Sequence, residues 1–125
     1  MATQTDVRWI ALSLPGTVEA KDHFAFELPH KGKLRGCAWV RRERVTPRKP
    51  RVAQPKVVAI RVANQDDKEF LLRLNPKKFF TEPHYEDFPA VLVHLPAVTV
   101  RELRPLLTEA WRCMAPKELL ARKTP

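Results

Sequence analysis

The residues that could do chemistry in this sequence are mostly cations, and they are crowded together. Ten of the 23 basic residues lie between Lys31 and Lys56: Lys31, Lys33, Arg35, Arg41, Arg42, Arg44, Arg48, Lys49, Arg51 and Lys56. A single acid, Glu43, stands among them. Outside the window the remaining 13 basic residues meet 13 of the 14 acids, so the net charge of +9 arises wholly inside it. A patch this segregated attracts polyanions, whether nucleic acid, an anionic membrane or an acidic protein surface. The plainer alternative is a solvated loop that keeps the protein soluble.

Each Lys or Arg that neutralises a phosphate releases condensed counterions, and Arg also reaches guanine edges bidentately. No helix-turn-helix, zinc finger or RNA-recognition motif accompanies the patch. Phosphate contact through Arg41, Arg42, Arg44, Arg48, Lys49, Arg51 and Lys56 is therefore what the residues support, with DNA ahead of RNA.

Other chemistry is sparse. His23, His30, His84 and His94 do not show the i, i+4 spacing of a helical zinc pair, and none neighbours a cysteine in sequence. Cys37, His84 and Asp87 are candidates for a nucleophile set only if the fold brings them together. His84, Tyr85, Glu86 and Asp87 form the best cluster for a small polar site, against the simpler reading of a plain loop. With 3 Gly and 12 Pro, no glycine-rich phosphate cradle is available. The expectation is a non-enzymatic protein with no metal, cofactor or catalytic residue.

A chain of 125 residues suits one core. Asp6 and Arg8 interrupt what would be the apolar part of a signal peptide, and no apolar run approaches bilayer length. No membrane partner is expected, and Cys37 and Cys113, far apart and in no Cys-x-x-Cys pair, favour two buried, reduced thiols in a cytoplasmic protein over a single bridge.

The elements that must position the patch read as follows. Thr3 and Asp6 have capping-box spacing ahead of Val7, Ile10, Ala11 and Leu14, which predicts a helix over 4–14 stopped by Pro15 and Gly16. Residues 24–28 alternate as a strand, and Lys33 to Val40 reads as its hairpin partner, with Leu34, Ala38 and Val40 on one face. Residues 41–55, with Pro47, Pro50 and Pro55, read as a long exposed loop or wing. Lys56 to Val62 is the clearest strand. Asp66 and Glu69 open a helix over 66–75, Phe79 and Phe80 make a short strand or loop anchor, and Val91, Val93 and Leu95 make the last strand. Thr99 and Glu102 are a second capping box before Leu103, Leu107, Ala110, Trp111 and Met114, in a helix over 99–115 that Pro105 either kinks or restarts. Lys117 to Lys123 add a basic terminal turn.

This order predicts a two-layer α+β domain, a mainly antiparallel sheet with helices on one face. Its core should include Ile10, Leu14, Phe26, Val58, Ile60, Leu74, Val93, Leu107 and Trp111. Trp39 reads as a sheet-covering aromatic.

Several local motifs together resemble the MmcQ/YjbR-like family over nearly the whole chain. They are Leu12-Ser-Leu-Pro-Gly16 followed by Glu19, Phe24, the Lys31-Gly-Lys33 hairpin, and Phe79-Phe80 with Pro83-His84. At the back come the strand ending at Leu95 and the run Leu103, Leu106, Leu107, Ala110, Trp111, Ala115-Pro-Lys-Glu-Leu119. The resemblance implies a fold related to secretion chaperones and a DNA-binding role of the double-wing kind. The chaperone relationship keeps a second reading open, an adaptor that holds a protein partner or a second copy of itself through an exposed edge strand. Many members carry a Lys/Arg-His-Trp-like stretch where this chain has Glu86-Asp87-Phe88-Pro89, and the Pro/Arg-rich extension after Val40 is longer here.

Overall fold

A computed structural model describes residues 2–21, 24–30, 32–44, 51–82 and 85–115, with the backbone alone for 30, 41–44 and 51–55. The first helix, α1 (Gln4–Ser13), begins at the expected capping box. The Thr3 hydroxyl accepts from the Asp6 N–H, and the Asp6 carboxylate accepts from the Thr3 N–H at 2.9 Å. Val7, Ile10 and Ala11 are buried beneath it, with Leu14 just past its end.

Six strands follow: β1 (Val18–Glu19), β2 (Ala25–His30), β3 (Lys33–Arg44), β4 (Arg51–Arg61), β5 (Phe79–Phe80) and β6 (Ala90–His94). They form one sheet in the order β1-β2-β3-β4-β6-β5, antiparallel at every junction. The α+β architecture expected from the element order is the one observed. The short strand β1 was not legible, since two residues carry no periodicity.

Helix α3 (Val100–Met114) opens on the Thr99 and Glu102 capping box and buries Leu103, Leu107, Ala110, Trp111 and Met114 along one stripe. It runs through Pro105 as a single helix. Trp111 is fully buried and its Nε1 donates to the Pro15 carbonyl at 2.8 Å. That bond fastens the end of α1 to α3, beyond the ~2–3 kcal/mol that burying such a ring contributes. Phe26, Leu28, Val58, Ile60, Val91 and Val93 supply the sheet side of this core.

Helix α2 (Gln65–Leu74) departs from the expected pattern twice. Its cap is Asn64, whose side chain accepts from the Asp67 N–H at 2.8 Å, so Asp66 lies inside the first turn. Leu74, expected in the core, is 62% exposed. The stripe that faces inward is Lys68, Leu71 and Leu72, with Lys68 fully buried. A pattern that scores lysine as polar places the apolar face one position off.

Two β-bulges account for the other differences. Between Phe26↔Ala38 and Glu27↔Gly36 the register slips by one residue, which leaves Cys37 as the extra residue on β3. Cys37 and Ala38 both join the core, and Leu34 falls on the opposite face, 58% exposed, not with Ala38 and Val40 as alternation predicts. Further along, the register passes from Val40↔Val58 to Arg42↔Ala53, so that Arg41 alone is set against Gln54–Val57. Pro55 sits in this gap, where no ladder donor is required.

Candidate nucleic-acid interface

Beyond the second bulge the basic segment is paired. Arg42↔Ala53, Glu43↔Val52 and Arg44↔Arg51 continue the β3–β4 ladder into the stretch expected to be a long exposed loop or wing. The last β2 partner on β3 is Ala25, opposite Trp39, and the last β6 partner on β4 is His94, opposite Val57. From Arg42 outward the two strands therefore pair only with each other. They make a two-stranded ribbon that leaves the six-stranded sheet, about 10 Å long over the three described register pairs.

This arrangement gathers Arg41, Arg42, Arg44 and Arg51 on one arm, with Lys56 exposed at its root. Arg48 and Lys49 lie outside the described residues, as do Pro47, Pro50, His84 and the segment 116–125 that includes Lys117 to Lys123. Lys56 borders a shallow hollow of about 330 Å³ shared with Ala2, Thr3 and Gln4 at the start of α1. Three amides there are engaged: those of Thr3 and Asp6 in the capping box, and that of Ala2, which donates to the Leu95 and Val98 carbonyls. The ribbon, and not the helix end, is where the cations gather.

The face of the sheet away from the helices holds a second, smaller core that sequence reasoning missed. Ala59 and Leu92 are fully buried there beneath Trp39, Phe80 and Tyr85. Trp39 Nε1 donates to the Tyr85 hydroxyl at 3.2 Å, and Phe88 meets Trp39 edge-on at 6.0 Å. The Trp39 ring can settle because Gly36 lies under it; a Cβ at Gly36 would stand 3.0 Å from the ring. His94 stacks on Phe80 at 4.2 Å, which makes it a packed histidine. Arg61 bonds the Gly36 carbonyl at 3.2 Å and covers the Phe88 ring.

Lys68 holds this cover in place from the helix side. Its ammonium donates to the carbonyls of Tyr85, Glu86 (3.2 Å) and Phe88 (2.8 Å). Three acceptors match the three N–H donors of a lysine ammonium, which is why a buried lysine is tolerated. Burial pulls its pKa below the usual lysine range, and the nearby Asp87 and Glu86 oppose that shift. Nothing in the sequence signals the pairing except a lysine placed at helical spacing before Leu71 and Leu72.

Of the residues considered for a nucleophile set, His84 lies outside the described residues, and the other two stand in unlike surroundings. Cys37 is sealed in the core, donating to the Phe26 carbonyl at 3.4 Å, whereas Asp87 is exposed. Tyr85 turns inward to Trp39 while Glu86 and Asp87 face solvent. Among the described residues no group of three or more His, Cys, Asp or Glu could hold a metal ion, and no helix is long and apolar enough to cross a membrane.

Both cysteines are free thiols. Burial pushes Cys37 from its ordinary 9.0 up to about 11 and also raises Cys113, which is only half-buried. At pH 8 Cys113 is expected to react with Ellman's reagent in the folded protein and Cys37 only on unfolding. Because the folded Cys37 titrates higher than an unfolded thiol, its contribution to stability is full below about pH 9 and is lost as pH rises toward 11. Denaturant midpoints across that range should fall less steeply in Cys37→Ala. Equal, immediate reactivity of both thiols in the native protein would contradict the sealed position of Cys37.

No family model and no solved structure matches the chain. It is similar to the proteins named Uncharacterized protein Rv2570 and Uncharacterized protein MT2646 of Mycobacterium tuberculosis, and to Uncharacterized protein Mb2600 of Mycobacterium bovis. Identity to each is 36% over 128 residues, spanning 96% of this chain and 94% of the relative. At that identity over almost the full length of both partners, the protein belongs to the same family as these mycobacterial proteins.

Proposed function

We propose that the protein binds nucleic acid, duplex DNA ahead of RNA, through phosphate contacts made from the basic segment 41–56, which includes the β3–β4 ribbon. The observation that carries this reading is the coincidence of charge and shape: the window holding the whole net charge of +9 includes the two strands that leave the sheet. A two-stranded ribbon fits the major groove of B-form DNA, about 12 Å wide, whereas the major groove of A-form RNA is too deep and narrow for it. Arg supplies the forked donors that phosphate geometry suits.

The resemblance to MmcQ/YjbR-like proteins supports the same reading, since a double-wing mode of DNA binding is what that family implies. In this account the protein is non-enzymatic, needs no cofactor and works in the cytoplasm, where Cys37 and Cys113 stay reduced.

The test is fluorescence polarisation with labelled duplex DNA, single-stranded DNA and duplex RNA at ~50 mM salt, where electrostatic association is strongest. Duplex DNA should bind tightest. Absence of binding to all three would remove the nucleic-acid reading altogether.

A further inference from the structure

The register of the β3–β4 ribbon sets which of its residues share a face. Residues directly opposite each other in an antiparallel ladder stand on one side of it, and successive residues along a strand alternate sides. The pairs Arg42↔Ala53 and Arg44↔Arg51 therefore share one face, and Glu43↔Val52, between them, belongs to the other. Three of the four positions on the first face are arginine. The second holds a valine and Glu43, the sole acid between Lys31 and Lys56.

The bulge at Pro55 produces this sorting. From Val40↔Val58 to Arg42↔Ala53, β3 advances by two residues and β4 by five, so β4 carries three extra. An odd number of extra residues reverses which β4 positions fall on the face of Arg42. Carried through without the bulge, the register would set Arg42 against Lys56 and Arg44 against Gln54, and Arg51 would fall on the side of Glu43. The bulge brings Arg51 across to the other two arginines. On their shared face the Arg42 and Arg44 positions are about 7 Å apart along β3, and Arg51 is about 5 Å across from Arg44.

We infer that the paired part of the ribbon meets its ligand with the face of Arg42, Arg44 and Arg51, and that Glu43 and Val52 lie on the side turned away from it. The inference rests on the nucleic-acid reading and gives that reading a face. Duplex DNA carries one negative charge per ~1.7 Å of its axis, so a close-set trio of cations finds several phosphates within reach. A carboxylate turned toward the same backbone would be repelled. Arg41, set against the bulge, belongs to neither set of paired positions.

Two single substitutions at neighbouring positions test the face, because each adds one cation and only the side of the ribbon differs. Ala53→Arg adds it to the arginine face and Val52→Arg to the reverse. In a salt series with labelled duplex DNA, Ala53→Arg should steepen the slope of log K against log salt by about 0.9, the value of one further phosphate contact, and bind about tenfold tighter at ~50 mM salt. Val52→Arg should keep the wild-type slope. Both positions lie where the ribbon pairs only with itself, so thermal midpoints should stay near wild type. The double change Arg51→Val with Val52→Arg keeps the net charge and should weaken binding about tenfold. Equal slopes in the two single variants, a steeper slope in Val52→Arg, or wild-type affinity in the double change would overturn the face assignment and leave the nucleic-acid reading standing. Wild-type protein that binds no DNA would instead remove that reading, and the face with it.

Discussion

Replacing Arg41, Arg42, Arg44, Arg48, Lys49 and Arg51 together by Gln is expected to abolish binding to duplex DNA, a loss on the order of a thousandfold or more at low salt. The size follows from the charge distribution. Outside the 31–56 window the chain has 13 basic and 13 acidic residues, and the change removes six of the ten cations inside it. The fold should survive. From Arg42 outward the ribbon pairs only with itself, and neither β2 nor β6 flanks it. Substitutions away from a core cost within about 0.5 kcal/mol each. Thermal melts within a few degrees of wild type, beside lost polarisation signal, are the expected pair of results. Retained affinity in a folded six-site variant would place the contacts elsewhere.

Lys68→Met is expected to be the most damaging single change outside the apolar core. Methionine keeps the length of the stem and removes only the ammonium, so the carbonyls of Tyr85, Glu86 and Phe88 lose their common donor. Hydrogen bonds to a charged group are worth about 1.5–3 kcal/mol each, and partial hydration of the freed carbonyls returns some of that. A net loss of about 2–4 kcal/mol follows, or a thermal midpoint lower by roughly 10 °C. The damage should be directional: Tyr85 and Phe88 cover Trp39, so its fluorescence should shift to the red before the sheet melts. A Lys68→Met protein that melts with the wild type would mean that the three contacts contribute nothing to holding the loop.

Much of this fold could be read from residue order because its devices are local. The two capping boxes, at Thr3 and Thr99, start helices at the expected places, and the stripe from Leu103 to Met114 is the inward face of α3. What stayed hidden depends on partners distant in the chain. One residue of slip at Cys37 sends Leu34 to the other face of the sheet, and alternation alone cannot reveal a bulge. Lys68 counts as surface in any polarity pattern until the carbonyls of the 85–88 loop are seen around it. The candidate interface was half legible. Its charge is a matter of counting, but its three prolines argued for a loop, and only the register shows Pro55 lodged in a bulge between two paired halves. Leu74 likewise reads as a core residue until α2 is placed with that side chain outward.

The salt dependence of wild-type binding to duplex DNA tests the central claim most directly. Each cation on a phosphate contributes about −0.9 to the slope of log K against log salt, so contacts from all six cations between Arg41 and Arg51 predict a slope near −5. Between 50 and 200 mM salt, affinity should then fall by about a thousandfold. A slope near −2 would show that most of the ribbon arginines stay in solvent, and would contradict the account of the ribbon as the nucleic-acid-binding arm.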